Sequence, residues 1–198
     1  PQAAQYTYNL IMDLVNRYDV DGINLDYIRF GSNDAGYNDV SVARFNSFSS
    51  RYGGDFNRWR RDQVTNFVRK VYANAIAVKP NLKVTADVIA GTPAPTDLAD
   101  FRSRSQAYTK YFQDFPSWMQ EGILDMDIGM TYFDCYGEYG PCYDPWVCFL
   151  RNHAYNRQAV AAPGVYSASC LTTQLDHTRT LACGPVTGGA IYAYHTMD

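Results

Sequence analysis

Five short apolar segments, each separated from the next by helical periodicity, constrain this fold more than any other feature of the chain. They lie at 22–30 (GINLDYIRF), 82–90 (LKVTADVIA), 123–133 (ILDMDIGMTYF), 159–169 (AVAAPGVYSAS) and 188–194 (GGAIYAY). A helix is expected ahead of the first segment at 4–18, with Leu10, Ile11, Leu14, Val15 and Tyr18 on one face. The clearest helix is 57–79, where Trp59, Val64, Phe67, Val68, Val71, Tyr72, Ala75 and Ile76 recur at helical spacing and Pro80 stops it. Further helices are expected at 106–121, near 146–158, and as a short piece before the last strand. Strand–helix alternation of this kind predicts an α/β fold, a parallel sheet with helices packed outside it. Residues 31–55 are polar and rich in Gly, Asn and Ser, a long excursion after the first strand. No internal repeat or linker interrupts the chain, so residues 1–198 read as a single domain.

In a parallel α/β sheet the strand interiors are buried and the carboxyl ends carry the chemistry. Side chains alternate faces along a strand. In the first strand Asn24 and Asp26 share one face, and Ile23, Leu25 and Tyr27 the other. Asp26 lies near the strand's end with Arg29 just beyond it. Two readings stay open for this pair: a carboxylate poised for chemistry, or an Asp26–Arg29 ion pair that shapes the loop. Asp21, at the strand's entry, reads as a turn cap. In the second strand Thr85 and Asp87 share a face, with Asp87 again near the carboxyl end. In the third, Met130, Tyr132 and Asp134 share a face, opposite Asp125 and Asp127. Three consecutive strands thus offer a carboxylate at one end. Adjacent parallel strands lie about 4.8 Å apart, which brings such carboxylates towards the roughly 5–9 Å separations of glycoside hydrolysis.

Composition removes several alternatives. Hydrophobic residues are 46% and charged residues 19%, which describes a globular chain. The formal net charge is −3 and no basic face is evident, which argues against nucleic acid as a partner. No apolar run reaches the roughly 18 residues of a membrane-spanning helix. No signal peptide is present and the chain opens on Pro1, as expected of a processed or partial chain. The five cysteines, Cys135, Cys142, Cys148, Cys170 and Cys183, form no CxxC pair, and the three histidines are scattered. This argues against a zinc site and for one or two disulfides in an oxidising compartment. The odd cysteine is then free or paired to another chain. Neither a metal nor another cofactor is asked for by any ligand spacing or nucleotide fingerprint.

The segment "VDGINLDYIRF" resembles the "DGI-x-x-DY-x-RF/Y" signature of the family 10 glycosyl hydrolase-like proteins and related glycoside-hydrolase-like TIM barrels. Three further segments agree in order. "FNRWRRDQVTNFVRKVYANAIAVKPNLKVTADV" resembles their "W-R-R" helix and following strand. "WMQEGILDMDIGMTYFD" resembles their "W-x-x-x-G-x-x-D-x-x-x-P-M-x-Y" segment, with Gly129 where proline is usual. "GGAIYAY" is similar to their last strand. The resemblance implies a partial (β/α)8 barrel, roughly the last five strands, with about three βα units ahead of Pro1 or another chain completing the sheet. It marks Asp26 as the leading catalytic carboxylate, flanked by Tyr27 and Arg29, Asp87 as the second, and Tyr132 as a residue of the mouth.

The assignment expected from residues and resemblance together is Asp26 as nucleophile or base and Asp87 as general acid, with Asp134 able to replace either. Asn24, Tyr27, Arg29, Tyr132, Trp146 and Tyr194 are expected to contact substrate; for Trp146 two readings stay open, stacking on a sugar and packing within its loop. Trp59 and Trp118 read as packing residues, and Arg60 as a helix-start cap. The expected function is hydrolysis of an extracellular or cell-wall polysaccharide. The alternative is a glycan-binding or structural component of an extracellular layer or filament on the same scaffold, since fold alone does not fix function.

Overall fold

A computed structural model describes residues 2–193. Its centre is one five-stranded sheet, ordered β1-β2-β3-β4-β5, in which every neighbouring pair is parallel. The strands are β1 (Gly22–Leu25), β2 (Lys83–Ile89), β3 (Met126–Met130), β4 (Gln158–Ala161) and β5 (Gly188–Gly189). All five fall inside the segments expected to be strands, apart from Gln158, one residue ahead of its segment, and all are shorter. The β4–β5 pairing continues as a bridge between Gly164 and Tyr192. Spatial order equal to chain order is the signature of a sheet that curls in one direction, and this sheet is a partial TIM-like barrel with free edges at β1 and β5.

Two faces of the sheet are distinguished by burial. Val84, Ala86 and Val88 of β2 are fully buried against the helices, whereas Thr85, Asp87 and Ile89 point inward and are half-buried. The outer face packs on α3 (Phe56–Val78), α6 (Phe115–Glu121) and α7 (Tyr143–Asn152), through Val68, Val71, Trp118, Trp146 and Leu150. Gly129 of β3 lies under α7, where a Cβ would collide with the Leu150 side chain. This contact accounts for a residue without a side chain at that position.

Helix boundaries differ from expectation where local turns override periodicity. The first strand ends at Leu25 because the chain turns at Tyr27, whose φ is +56°, and Arg29 N–H bonds back to Tyr27 O at 2.7 Å. The expected helix at 106–121 is broken into α5 (Gln106–Thr109) and α6, with Phe112 at φ +56° between them. Ahead of it, α4 (Leu98–Arg104), capped by Asp97, occupies a stretch to which the sequence assigned no element. The excursion at 31–55 contains α2 (Asp39–Phe48), capped by Asn38, and a 3-10 turn at Ser49–Tyr52. The short helix expected before the last strand is α8 (Ala168–Thr180).

Helix α1 (Gln2–Arg17) has the expected apolar face, but only Val15 of that face is buried. Leu10, Leu14 and Tyr18 stay about half exposed, as does Tyr6 one turn earlier. They form a stripe at i, i+4 spacing along α1.

Two disulfides tie down the cysteine-rich third. Cys135 joins Cys170 and Cys148 joins Cys183, each across 35 residues, and Cys142 is free. A loop of that length corresponds to about 4 kcal/mol of denatured-state entropy in the chain-entropy treatment, with measured values running about 2–4 kcal/mol. Cys135→Ser/Cys170→Ser should therefore lower the urea-derived unfolding free energy by about 2–4 kcal/mol with the sheet retained. Unchanged stability would mean that this staple constrains nothing.

Asp127 sits on the helix-facing side of β3, fully buried, with neither carboxyl oxygen hydrogen-bonded. Burial pushes its carboxyl well above the usual range. The folded chain keeps this proton where the unfolded chain, near an ordinary aspartate value of about 3.9, releases it. The group's stabilising proton is thus fully present below about pH 4 and is lost as pH rises, at a slope of about 1.4 kcal/mol per pH unit up to the folded value. Thermal melts from acid to neutral pH should show Tm falling more steeply for the native chain than for Asp127→Asn. Parallel curves would show that Asp127 does not titrate with folding.

Candidate active site

The inner face of the sheet brings two of the three expected carboxylates, Asp26 and Asp87, together at its carboxyl ends. Register pairs Asn24 with Thr85 and Leu25 with Ala86, so Asp26 emerges beside Asp87. A short relay fixes Asp87. The Thr85 hydroxyl donates to Asn24 Oδ1 at 2.7 Å, and Asn24 Nδ2 donates to Asp87 Oδ2 at 2.8 Å. Burial raises the Asp87 carboxyl above its usual range, the Asn24 bond opposes this, and the nearby Asp26 charge adds to it. Asp26 is different: its side chain is 64% exposed, and Oδ1 accepts from Tyr27 N–H at 2.6 Å. One carboxyl is shielded and protonation-prone, and its neighbour is solvated.

Arg29 pairs with Asp26, as one of the two sequence readings had it, but the pair is loose and not buried, since Asp26 is 64% exposed. Its Nη1 stands 3.9 Å from Asp26, too far for a hydrogen bond, and that nitrogen is buried without a hydrogen-bond partner. Its firmest neighbour is the Tyr27 ring, 3.9 Å from the guanidinium carbon. The positive φ at Tyr27 turns the chain so that this stack forms at the rim, leaving Tyr27 68% exposed.

Tyr132, just past β3, completes the constellation. Desolvation, then the charges of Asp87, Tyr192 and Asp26, push its phenol up to about 12. Its backbone oxygen accepts from Tyr166 Oη at 2.8 Å, and its ring stacks on Tyr192 with centroids 4.4 Å apart. Tyr192 was not singled out in the sequence. Tyr194, which was, lies outside the described residues. The sequence "AIYAY" offered two tyrosines two residues apart, so the signal was present without its register.

Two other expectations are corrected or displaced. Trp146 does not face a sugar: it is fully buried, its indole N–H donates to Gly91 O at 2.6 Å, and it packs edge-on to Phe149. An indole whose N–H is satisfied inside the core has no face left for a ligand. Asp134 caps the cysteine loop by accepting from Tyr136 N–H at 3.1 Å. It is not among the charges that act on Asp87 or Tyr132. Gln113 was missed altogether. Fully buried, it accepts from Ile89 N–H at 2.8 Å and donates to Asp87 O at 3.0 Å, which clamps the end of β2. Its only sequence signal was an amide inside an aromatic run.

No group of three or more metal-binding side chains exists among the described residues. What the arrangement can do chemically is proton transfer between unlike carboxyls under an aromatic rim. A parallel sheet in chain order, partly closed in this way, is a partial TIM-like barrel. The chain belongs to the glycosyl hydrolase-like 10 family, whose sequence profile matches residues 1–148. It is 23% identical over 161 residues to the glycosyl hydrolase YngK of Bacillus subtilis, covering 79% of this chain and 31% of that protein. Its fold is similar to the glycoside hydrolase domain of PgaB (BpsB) from Bordetella bronchiseptica, with a TM-score of 0.73 at 10% identity. That match covers 99% of this chain and 58% of the other. The chain thus spans less than two thirds of either relative.

Proposed function

We propose that the protein hydrolyses glycosidic bonds of an extracellular or cell-wall polysaccharide, with Asp87 as general acid and Asp26 as base or nucleophile. The observation that carries this is the contrast within one pair: Asp87 shielded and raised, Asp26 beside it and solvated. Pairs of carboxyls pushed apart by environment are how one site supplies acid and base together. The relay Thr85–Asn24–Asp87 holds the acid, and Arg29 and Tyr132 frame the reacting centre. Tyr132, Tyr192 and Tyr27 offer aromatic faces of the kind that stack on pyranose rings.

Family membership and the names of both relatives support the class of reaction. Two disulfides are compatible with an oxidising, extracellular setting, and no helix among the described residues is long and apolar enough to cross a membrane. Closing the barrel takes about three more strands. The unpaired edge of β1 and the exposed stripe of α1 suit a further βα unit there.

The test is reducing-end release from a panel of extracellular polysaccharides by the native protein and Asp26→Asn side by side. Release that falls by at least about 100-fold in the variant, with both equally folded, is the expected result. No release from any glycan would move the reading to a binding or structural barrel.

A further inference from the structure

On the outer flank, away from the paired carboxylates, a cleft of about 370 Å³ opens between the start of α3, the 3-10 turn before it and the α5–α6 segment. Small-molecule sites span about 300–1,000 Å³, so the cleft exceeds what a free oxyanion needs. Its lining includes Arg51, Arg58 and Arg61 but neither Asp26 nor Asp87. Three guanidiniums facing one cleft are unexpected on a chain of net charge −3.

The arginines are not spent on neutralising each other's neighbours. Arg61 is held in place, its guanidinium carbon 4.1 Å over the Tyr108 ring and one nitrogen 4.0 Å from Asp55. Arg51 and Arg58 are exposed, and both lie near enough to the buried Tyr52 hydroxyl to act on it electrostatically. That hydroxyl donates to Asp62 Oδ2 at 2.5 Å, and Asn66 donates to the same oxygen at 2.9 Å. The second carboxyl of the lining, Asp114, takes the Ser117 hydroxyl at 2.8 Å, and burial pushes it towards its neutral form. Each acid thus has one oxygen held by protein donors, with Asp114 Oδ1 buried and unpartnered, while Arg51 and Arg58 have no hydrogen-bond or ion-pair partner for their side chains among the described residues.

We propose that this cleft binds an acidic saccharide unit, its oxyanion taken by Arg51, Arg58 and Arg61 and its hydroxyls by the polar groups between them. Guanidiniums pair with carboxylate and phosphate oxygens in two-pronged geometry. Thr65, Ser117 and the Asp62 carboxylate line the cleft as well, polar groups of the kind that sugar hydroxyls need and that a lone inorganic anion would leave unused. The α3 start follows the loop from β1's carboxyl end, so the cleft lies on the flank of the same end of the sheet as Asp26 and Asp87. The ligand is a uronate or a sugar phosphate, which share this chemistry.

The test is a titration of the isotope-labelled chain, followed by amide shifts, with a glucuronate oligosaccharide, glucose 6-phosphate, inorganic phosphate and a neutral glucose oligomer. At least one of the two acidic sugars should shift the amides at 51–62 and 108–117, more weakly as salt rises. Arg51→Ser/Arg58→Ser replaces two exposed side chains and should weaken that binding about tenfold or more without unfolding the chain. Shifts of equal strength with the neutral oligomer, or with phosphate alone, would overturn the proposal, as would no shift with either acidic sugar at tens of millimolar. The titration reads the cleft directly, so it stands or falls whether or not Asp26 and Asp87 cleave a glycan.

Discussion

Asp87→Asn should leave the protein folded and lower glycan cleavage by about 100- to 10,000-fold, the usual contribution of a positioned proton donor. The amide keeps the shape that Asn24 and Gln113 hold, because the clamp on β2 uses the Asp87 backbone oxygen, not its carboxyl. What is lost is the transferable proton. The pH dependence carries the sharper test. An acid must be protonated to donate, and burial raises Asp87, so native activity should persist to higher pH than an ordinary aspartate permits. Above the raised value it should fall as the proton is lost. Substituting Thr85→Val frees Asn24 from its hydroxyl partner, weakens the bond that opposes the shift, and should move this falling limb further upward. A limb that ignores both substitutions would assign the proton to another group. Full activity in Asp87→Asn would remove Asp87 from the chemistry.

Arg60→Met should destabilise the protein by about 3–5 kcal/mol, as the loss of a buried, many-partnered polar group does. Arg60 is almost completely buried, and desolvation lowers its guanidinium from the usual range. Its Nη1 donates to Asn33 O and to Ala35 O, the latter at 2.8 Å, and its other arm reaches Tyr37 and Asn57. The guanidinium carbon lies 3.9 Å from the Phe112 ring centroid and 4.9 Å from that of Tyr37. Methionine keeps the stem and removes every donor, leaving two part-buried carbonyls without their partner. Urea titration should give the loss, and hydrogen exchange should show it first at 31–37. A change below about 1 kcal/mol would mean that the excursion holds itself in place.

The same residue shows where sequence reading stops. Strand–helix alternation disclosed the parallel sheet, because period and order are local signals. Asp26 and Asp87 were legible because a carboxylate near the end of a buried strand contradicts its surroundings. Arg60, set beside Trp59 at a helix start, looked like an exposed cap; its partners at Asn33, Ala35 and Phe112 are supplied by folding. Trp146 erred in the opposite sense. An aromatic among tyrosines and cysteines suggested a binding loop, yet α7 turns that face into the core. Gln113 became visible only once the end of β2 had been placed, and Tyr192 only once the chain beyond β3 and that beyond β5 had been brought together.

Both covalent cross-links lie within residues 135–183, on the β3–β5 side. The acidic pair rides on β1 and β2, which carry none, while Tyr132 and Tyr166 flank the cross-linked loop. The mouth therefore straddles a seam between a laced half and an unlaced one. Local opening follows the weaker side of such a seam. Local opening on the β1–β2 side would therefore widen the cleft while the laced side keeps Tyr132 and Tyr166 in place.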